Sequence, residues 1–155
     1  MTDKTILILS LALAIVLVLA ILKNTRTPTN IGLRQGRLSP LPFTPNAVSS
    51  RSEDEGRYVA PLPFSGDRQE THKALRQAIA GYPGKVTIVT ATPSYIHCVF
   101  SSATLGFRDD VEFHLDESSR TVHFRSASRL GYSDLGVNRR RYETLAALYR
   151  RTPRQ

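Results

Sequence analysis

The most constraining feature of the sequence is an uninterrupted apolar run near its N-terminus. Sixteen of the eighteen residues from Thr5 to Leu22 are apolar, and the run contains no charged residue, proline or glycine. At a rise of about 1.5 Å per residue, a helix of this length spans roughly 27 Å, enough to cross the hydrocarbon core of a bilayer. A cleaved signal peptide is the alternative, but the run is long for one, and its exit, Ala20-Ile21-Leu22, lacks a small-x-small cleavage site. The run therefore predicts an uncleaved transmembrane helix over residues 5–22.

The charges that flank this run bear on its orientation. Four cations follow it within fifteen residues, and no acidic residue occurs before Glu53, whereas only Lys4, Asp3 and the terminal amino group precede it. The positive-inside rule therefore favours a cytoplasmic domain, although a tail of four residues is readily carried across a membrane. We predict a single-pass protein of a bacterial-type inner membrane and leave the side of its soluble domain open. The four cations are Lys23, Arg26, Arg34 and Arg37.

The rest of the chain has the size and composition of one small domain. A length of 155 residues excludes a two-domain enzyme, and the formal charge is +8 with 41% apolar residues. Residues 23–57 are rich in Pro, Thr, Ser, Gly and Arg without a helical or strand period, which is typical of an irregular linker that can lie against a domain. The predicted boundaries are a tail at 1–4, the transmembrane helix at 5–22, the linker at 23–57, the domain at 58–151 and a basic tail at 152–155.

Periodicity and turn signals predict the elements of the domain. Asp67-Arg68-Gln69-Glu70 has the form of a capping box and begins a helix that ends at Gly81. A run of antiparallel strands flanked by helices implies an α+β fold, with a four- to five-stranded antiparallel sheet and two helices packed on one face. The other predicted elements are an edge strand at 58–62, strands at 85–90 and 94–102, a hairpin through 111–115 and 122–124, and a helix at 138–151 with Asn138 as its N-cap.

The register of the predicted hairpin follows from its turn. If the turn lies at residues 117–120, Glu112 faces Arg125 and His114 faces His123 across the two strands. Apolar and polar residues alternate along both strands, so these four side chains share the polar face of the hairpin. We expect this face to be exposed to water.

Several polar motifs occur in a fixed order along the chain. The longest is RSASRLGYSDLGVNRRR at residues 125–141, and it follows residues 32–50, Tyr95-Ile96-His97 and Asp109-Asp110-Val111-Glu112-Phe113. Together these motifs resemble the domain-of-unknown-function 1499 family over residues 32–151. The resemblance implies a shared fold, but it implies no reaction because the family's activity is unassigned.

The chain departs from the pattern of that family at two positions. The family pattern has Cys-Pro and Pro-Asn-Cys-Val-Ser-Ser where this chain has Leu41-Pro42 and Pro45-Asn46-Ala47-Val48-Ser49-Ser50. Both cysteines are absent together, as the loss of a disulfide would leave them. A disulfide in relatives suggests an exported domain, which opposes the positive-inside assignment. The membrane side therefore stays open, and the N-terminal segment of this chain must be held by packing alone.

Three consecutive arginines at residues 139–141 fall at the first turn of the last predicted helix. They are electrostatically unexpected there, because a helix N-terminus already carries about half a positive charge. One interpretation is that a phosphate or carboxylate is held by Arg139 and Arg141, by the free amides after Asn138, and by Arg125 and Arg129. The alternative is an internal network in which carboxylates of residues 109–112 and Asp134 neutralise the arginines. The candidate anion-binding residues are Arg125, Ser126, Ser128, Arg129, Ser133, Asp134, Asn138, Arg139 and Arg141.

Three histidines on predicted strands form a second candidate site. His97, His114 and His123 could converge on one sheet face as a three-nitrogen metal site. The alternative is a set of structural or solvated sheet histidines, which we favour because no spacing such as His-x-x-x-His is present.

Motifs for nucleophilic catalysis and nucleotide binding are absent from the sequence. Serines near Asp134 could be combined with a histidine, but no Gly-x-Ser-x-Gly elbow, P-loop or dinucleotide fingerprint occurs. Cys98 alternates with Ile96 and Phe100, which is typical of a small core residue. We therefore predict no catalytic residue and no cofactor.

The positive charge is concentrated in the C-terminal part of the chain. Residues 120–155 hold nine arginines against two acidic residues. For a protein tethered to a membrane, anionic lipid headgroups are a nearer partner than nucleic acid. We predict a non-enzymatic binding or accessory module that contacts a small anionic ligand or anionic lipid headgroups through residues 125–141. An enzyme of unknown class that uses polar residues of the same loop, with His97, is the alternative.

Overall fold

The computed structural model describes residues 3–152, and over this range the chain has the predicted α+β fold. Residues 1 and 2 of the predicted N-terminal tail and residues 153–155 of the predicted basic tail lie outside the described residues. The helices are α1 (Asp3–Thr25), α2 (Arg68–Ala80) and α3 (Val137–Arg151). The strands are β1 (Leu33–Arg34), β2 (Arg37–Leu38), β3 (Ala47–Ser49), β4 (Leu62–Pro63), β5 (Lys85–Thr92), β6 (Tyr95–Ser101), β7 (Arg108–Asp116) and β8 (Thr121–Ser128).

The main sheet is antiparallel and has six strands within residues 3–152, rather than the four to five expected. Its order is β3-β8-β7-β6-β5, and β4 also pairs with β8. Strands β3 and β4 share the outer edge of β8, one pairing with residues 125–127 and the other with residues 121–122. The edge strand expected at 58–62 begins only at Leu62, because Tyr58 and Val59 instead contact the main chain of Ser49.

The β7–β8 hairpin has the predicted register. Glu112 pairs with Arg125, and His114 pairs with His123. The turn at residues 117–120 ends with Arg120 at a φ of 52°, a left-handed conformation that closes the short connection. The register could be derived because the alternation of side chains and the turn position are both local features.

One face of the sheet forms the hydrophobic core with both helices of the domain. The Phe113 and Phe124 rings meet edge to face at 5.3 Å between centroids. Leu75 and Ile79 of α2 and Leu145 of α3 are buried in the same cluster, so the two helices lie on one face as predicted. Each side chain of this size stabilises the fold by roughly 1.5–3 kcal/mol when it is removed from water.

Helix α2 begins with the predicted capping box. The Asp67 carboxylate accepts a hydrogen bond from the Glu70 amide at 2.8 Å, and the Glu70 carboxylate accepts one from the Asp67 amide at 2.8 Å. The helix ends at Ala80, immediately before Gly81. Both ends of this helix are therefore encoded locally.

The opposite, polar face of the sheet is buried, so the expectation of a water-exposed face is wrong. The exposed fraction of Glu112 is 0%, and that of Arg125 is 1%. The N-terminal segment covers them: Leu38 and Ser39 are buried, and Ser50 donates its amide hydrogen to the Phe124 carbonyl at 2.9 Å. The segment lacks the periodicity of a strand or helix, which is why no local pattern indicates that it completes the domain.

Helix α1 is long and apolar enough to span a membrane. Its 23 residues extend about 34 Å at the usual helical rise. None of its residues is buried, so its apolar side chains have no protein core to pack against. It contains the whole run predicted as a transmembrane helix and continues to Thr25, where it meets the domain.

Candidate functional site

A buried carboxylate on β7 organises the polar face of the sheet. Glu112 receives a hydrogen bond from the Arg125 guanidinium at 2.8 Å, from the Tyr95 hydroxyl at 2.7 Å and from the Gly32 amide at 2.8 Å. The charge of Arg125 is thereby neutralised inside the protein. Through Gly32, the same carboxylate fastens the N-terminal segment to the sheet.

A second buried carboxylate, Asp110, binds Arg129 in a two-point contact. The Arg129 Nε and Nη2 atoms donate to the two carboxylate oxygens, each at 2.8 Å, and His97 Nε2 lies 2.9 Å from the same carboxylate. Burial opposes ionisation of Asp110, but the hydrogen bonds from Arg129 and His97 hold its pKa below the ordinary value. Asp110 therefore remains an anion that fixes the position of Arg129.

The third nitrogen of the Arg129 guanidinium reaches the end of α1. Its Nη1 atom donates to the carbonyls of Asn24 at 3.1 Å and Thr25 at 3.2 Å. The last carbonyls of a helix lack partners within the helix and carry partial negative charge, so a cation stabilises them. Arg129 thus joins α1 to the domain.

The start of α3 explains how a helix tolerates three arginines in its first turn. Gly136, with a φ of 79°, is the N-cap, and the Asp134 carboxylate accepts hydrogen bonds from the Gly136 amide at 3.1 Å and the Asn138 amide at 2.7 Å. The carboxylate of the chain itself supplies the negative charge that this helix end favours. The prediction of Asn138 as the N-cap is wrong, because the helix begins at Val137 with Gly136 as its N-cap, and the Asn138 amide donates to the Asp134 carboxylate.

Asn138 instead lies in the buried first turn and holds three segments together. Its amide nitrogen donates to the Asn46 carbonyl at 2.9 Å and the Ser128 hydroxyl at 3.0 Å, while its side-chain oxygen accepts from the Ser126 hydroxyl. The side chain is fully buried. Substitution of Asn138 would leave several of these buried polar groups without partners.

The three arginines of the α3 first turn have different partners. Arg141 is buried and donates to Asp109 at 2.5 Å and to the Asn138 side chain at 2.7 Å. Arg139 donates to the carbonyls of Gly56 and Tyr58, and Arg140 donates to the Leu135 carbonyl. A carbonyl is a dipole and not a counter-charge, so these contacts do not neutralise Arg139 and Arg140 as Asp109 neutralises Arg141.

The predicted anion-binding residues lie on both faces of the sheet. Arg125 and Arg129 contact carboxylates of the polar face, whereas Ser126, Asn138 and Arg141 contact one another on the face that α3 covers. Arg125, Arg129 and Arg141 are paired with carboxylates, as the alternative internal network required. Arg139 lies at the surface with carbonyl partners, beside its neighbour Arg140. Binding of an anion by this loop stays a prediction. Arg139 and Arg140 are the cations of the loop that an anion could reach.

A shallow groove of about 290 Å³ lies beside this loop. Ser128, Ser133 and Asp134, three of the predicted ligand residues, line it together with Asp109. Its other walls are apolar. They are formed by Phe107, Leu130, Leu135 and Val137, with Ser102 and Gly131 completing the lining.

The three candidate metal-binding histidines are divided between two sites. His114 and His123 stack at 6.2 Å between ring centroids. His97 lies two residues further along the sheet, in register with Glu112, and bonds to Asp110. The Ser50 hydroxyl lies 3.2 Å from His123 Nδ1. Within residues 3–152, no group of three or more His, Cys, Asp or Glu side chains is placed to hold a metal ion.

Burial favours the neutral form of the stacked histidines. It is the largest cause that lowers the pKa of both His114 and His123, and the Arg51 charge acts in the same direction. Asp116 opposes this effect without reversing it. The pair is therefore an uncharged part of the covered polar face near neutral pH.

Cys98 is a core residue, as predicted. It is fully buried, and burial raises the pKa of its thiol to about 12. A thiol in this state is a poor nucleophile, because the thiolate is the reactive form.

Several residues that build the site were not singled out from the sequence. Asn46 donates to the Gly131 carbonyl at 2.7 Å and Tyr95 donates to Glu112, and both lie in motifs quoted for the family resemblance. Asn24 contacts the 106–108 main chain without any such signal. Their partners lie more than fifteen positions away in the chain, so no local pattern identified them.

The chain is of the α+β structural class. Its small domain contains a buried arginine–carboxylate network and is joined to a helix able to span a membrane. The chain belongs to the family described as protein of unknown function (DUF1499), which matches residues 37–148. No curated protein and no solved structure matches it.

Proposed function

We propose that the chain is a single-pass inner-membrane protein that displays a non-enzymatic binding or accessory domain. The observation that supports the anchor is the surface of α1, where apolar side chains such as Leu7 and Val16 are 70% and 61% exposed. Exposure of this kind along a whole helix is costly in water and favourable in lipid. The hydrogen bonds of Asn24 and Thr25 to the domain argue for an intact connection between the two.

The ligand contact of this module is the 125–141 loop. The observation that carries this proposal is the groove beside the loop, which combines hydroxyl and carboxylate groups with apolar walls. Such a lining suits a small amphiphilic molecule. Arg140, which donates to the carbonyl of the lining residue Leu135, adds positive charge next to it, which favours a ligand with an anionic group such as a phosphate or an anionic lipid headgroup.

Binding is tested by thermal unfolding of the full chain in a zwitterionic detergent. The probes are inorganic phosphate and a short-chain phosphatidylglycerol, each compared with chloride or short-chain phosphatidylcholine at equal ionic strength. A ligand that binds the folded form at 100 times its Kd stabilises it by about 2.7 kcal/mol. We expect at least one anionic probe to raise the Tm, and no rise with either probe would refute an anion site.

A matched pair of double variants separates a site from a general charge effect. Arg139→Gln/Arg140→Gln removes two charges at the start of α3, and Arg150→Gln/Arg151→Gln removes two at its end. We expect the first variant to lose the stabilisation and the second to retain it. Equal losses in both variants would show that total charge, and not the loop, is responsible.

The enzyme alternative has less structural support. The Ser126 hydroxyl donates to Asn138, and the Ser128 hydroxyl accepts from the same side chain, so neither is paired with a histidine there. Any compound that stabilises the protein can be recovered after incubation. If the compound is recovered chemically unchanged, the protein only binds it. Conversion of the compound that is lost when Ser133 or Asp134 is substituted would establish an enzyme.

A further inference from the structure

The end of α1 is fixed to one edge of the domain by a two-sided contact. The Asn24 side chain donates to the Gly106 carbonyl at 2.9 Å and accepts from the Arg108 amide at 2.9 Å. These bonds flank Phe107 on both sides. The β6–β7 loop therefore lies directly beside the point where the apolar helix ends.

A buried arginine reinforces this contact. Arg129, which is 6% exposed, donates to the carbonyls of Asn24 and Thr25 while Asp110 holds its other nitrogens. Arg108 Nη1 adds a longer contact to the Thr25 carbonyl at 3.4 Å. Hydrogen bonds from the β6–β7 loop, from the first residue of β7 and from the residue after β8 leave the helix end little freedom relative to the domain.

The domain surface around this contact is unusually apolar. Leu105, Phe107, Tyr132, Leu135 and Val137 are 68%, 47%, 76%, 84% and 39% exposed, and we call these five residues the apolar face. Phe107, Leu135 and Val137 line the same groove, and Tyr132 lies in the chain between the lining residues Gly131 and Ser133. Contiguous exposed apolar surface of this kind marks a site of interaction.

The position of the apolar face relative to α1 identifies what covers it. Asn24 follows Leu22, the last apolar residue of the helix, by two positions, which is a rise of about 3 Å. If α1 spans a bilayer, Phe107 lies at the level of the lipid headgroups. Tyr and other aromatic side chains favour that layer, and Lys23 and Arg26 bring positive charge to it.

We infer that the apolar face lies in the headgroup layer of the bilayer and holds the domain against the membrane surface. The partner is the lipid surface itself, contacted beside α1 by the β6–β7 loop and by the loop that precedes α3. This inference rests on the proposed membrane anchor. It goes beyond that proposal because an anchored domain could equally stand free of the membrane.

Tryptophan fluorescence in vesicles tests the inference, because the natural sequence contains no tryptophan. Phe107→Trp and Tyr132→Trp each place a single reporter on the apolar face. Ser119→Trp is the matched control in the β7–β8 turn, at the other end of the nine-residue strand β7, about 30 Å away. Leu13→Trp reports whether α1 itself is inserted.

The full chain with each substitution is reconstituted into phosphatidylcholine–phosphatidylglycerol vesicles with and without bromine on the upper acyl carbons. Apolar surfaces bound in the interface are buried about 5–10 Å into the headgroup–acyl boundary, close to the upper acyl carbons, so we expect clear quenching of Phe107→Trp and Tyr132→Trp. Leu13→Trp should also be quenched. Ser119→Trp should keep its emission.

Each other outcome overturns a defined statement. Quenching of Leu13→Trp alone would show an inserted helix with a domain free of the membrane, which refutes this inference and leaves the anchor intact. No quenching of Leu13→Trp would refute the anchor. Blue-shifted but unquenched Phe107→Trp, with a shift that depends on the protein-to-lipid ratio, would show that a second copy covers the face instead of lipid. Two independent reporter positions keep the test decisive if one substitution perturbs folding, which circular dichroism monitors.

Discussion

Replacing Glu112 by Gln tests whether the buried charge network holds the domain together. Three donors converge on the Glu112 carboxylate, namely the Arg125 guanidinium, the Tyr95 hydroxyl and the Gly32 amide. A glutamine has the same shape but one accepting oxygen, so at least one donor loses its partner. The Arg125 charge, 1% exposed, also loses its counter-ion.

The expected cost is large because the charge left behind cannot reach water. Breaking a buried ion pair from one side costs about 3–5 kcal/mol. For a protein of this size, each kcal/mol lowers the Tm by roughly 2–4 °C, so we expect a decrease of about 10 °C. Circular dichroism of the full chain in detergent, followed through thermal and guanidinium unfolding, measures it.

An exposed pair on the same protein supplies the control for this substitution. Glu117 pairs with Arg68 at 2.9 Å, and their side chains are 63% and 45% exposed. Surface pairs of this kind contribute at most about 1 kcal/mol, so Glu117→Gln should change the Tm little. If Glu112→Gln is as mild as Glu117→Gln, the network does not stabilise the fold and this reasoning is refuted.

Three further predictions concern other parts of the domain. Asp134→Ala removes the acceptor at the start of α3 and should lower the free energy of unfolding, measured in guanidinium, by about 1–2 kcal/mol. An unchanged unfolding midpoint would show that this acceptor contributes nothing. The pKa values of His114 and His123 are lowered in the folded chain, so the unfolded chain takes up protons first as the pH falls below about 6.5. The free energy of unfolding should therefore decrease from pH 7 to pH 5. A flat profile would contradict the burial of these two histidines. Cys98, with its thiol pKa raised to about 12, should resist a thiol reagent in the native protein and react fully in denaturant, and rapid labelling of the folded chain would contradict its place in the core.

The elements that could be predicted from the sequence are those whose determinants are close together in the chain. The capping box of α2, the apolar run of α1 and the hairpin register each depend on residues within one element or one turn. Local alternation and the turn position were enough to pair Glu112 with Arg125. They were not enough to show that this pair is buried.

The features that were missed depend on contacts between distant segments. Strand β3 has three residues and no period of its own, and it forms only because β8 offers an unpaired edge. The polar face is covered because Gly32 and Ser50 reach it from a segment with the composition of a linker. Sequence spacing cannot report such contacts, since they depend on the folded sheet.

Anion binding by the candidate residues stays a prediction, and the roles of these residues depend on contacts in the folded chain. The sequence has an excess of arginine near residues 125–141 and carboxylates at 109–112, and both an external anion and an internal network could balance them. The hydrogen bonds assign Arg125, Arg129 and Arg141 to the network. Arg129 has a further role that no pattern suggested, since it also binds the end of α1.

Retention of α1 on the mature protein is the central proposal, because the anchor, the contact of Arg129 with the helix end and the membrane-facing surface all require it. The most direct measurement is alkaline carbonate extraction of membranes from expressing cells, followed by intact-mass analysis of the chain. We predict that the protein stays in the membrane pellet and that its intact mass includes the whole of α1. A soluble species whose first residue lies between about residues 20 and 30, as signal-peptide cleavage would produce, would contradict it.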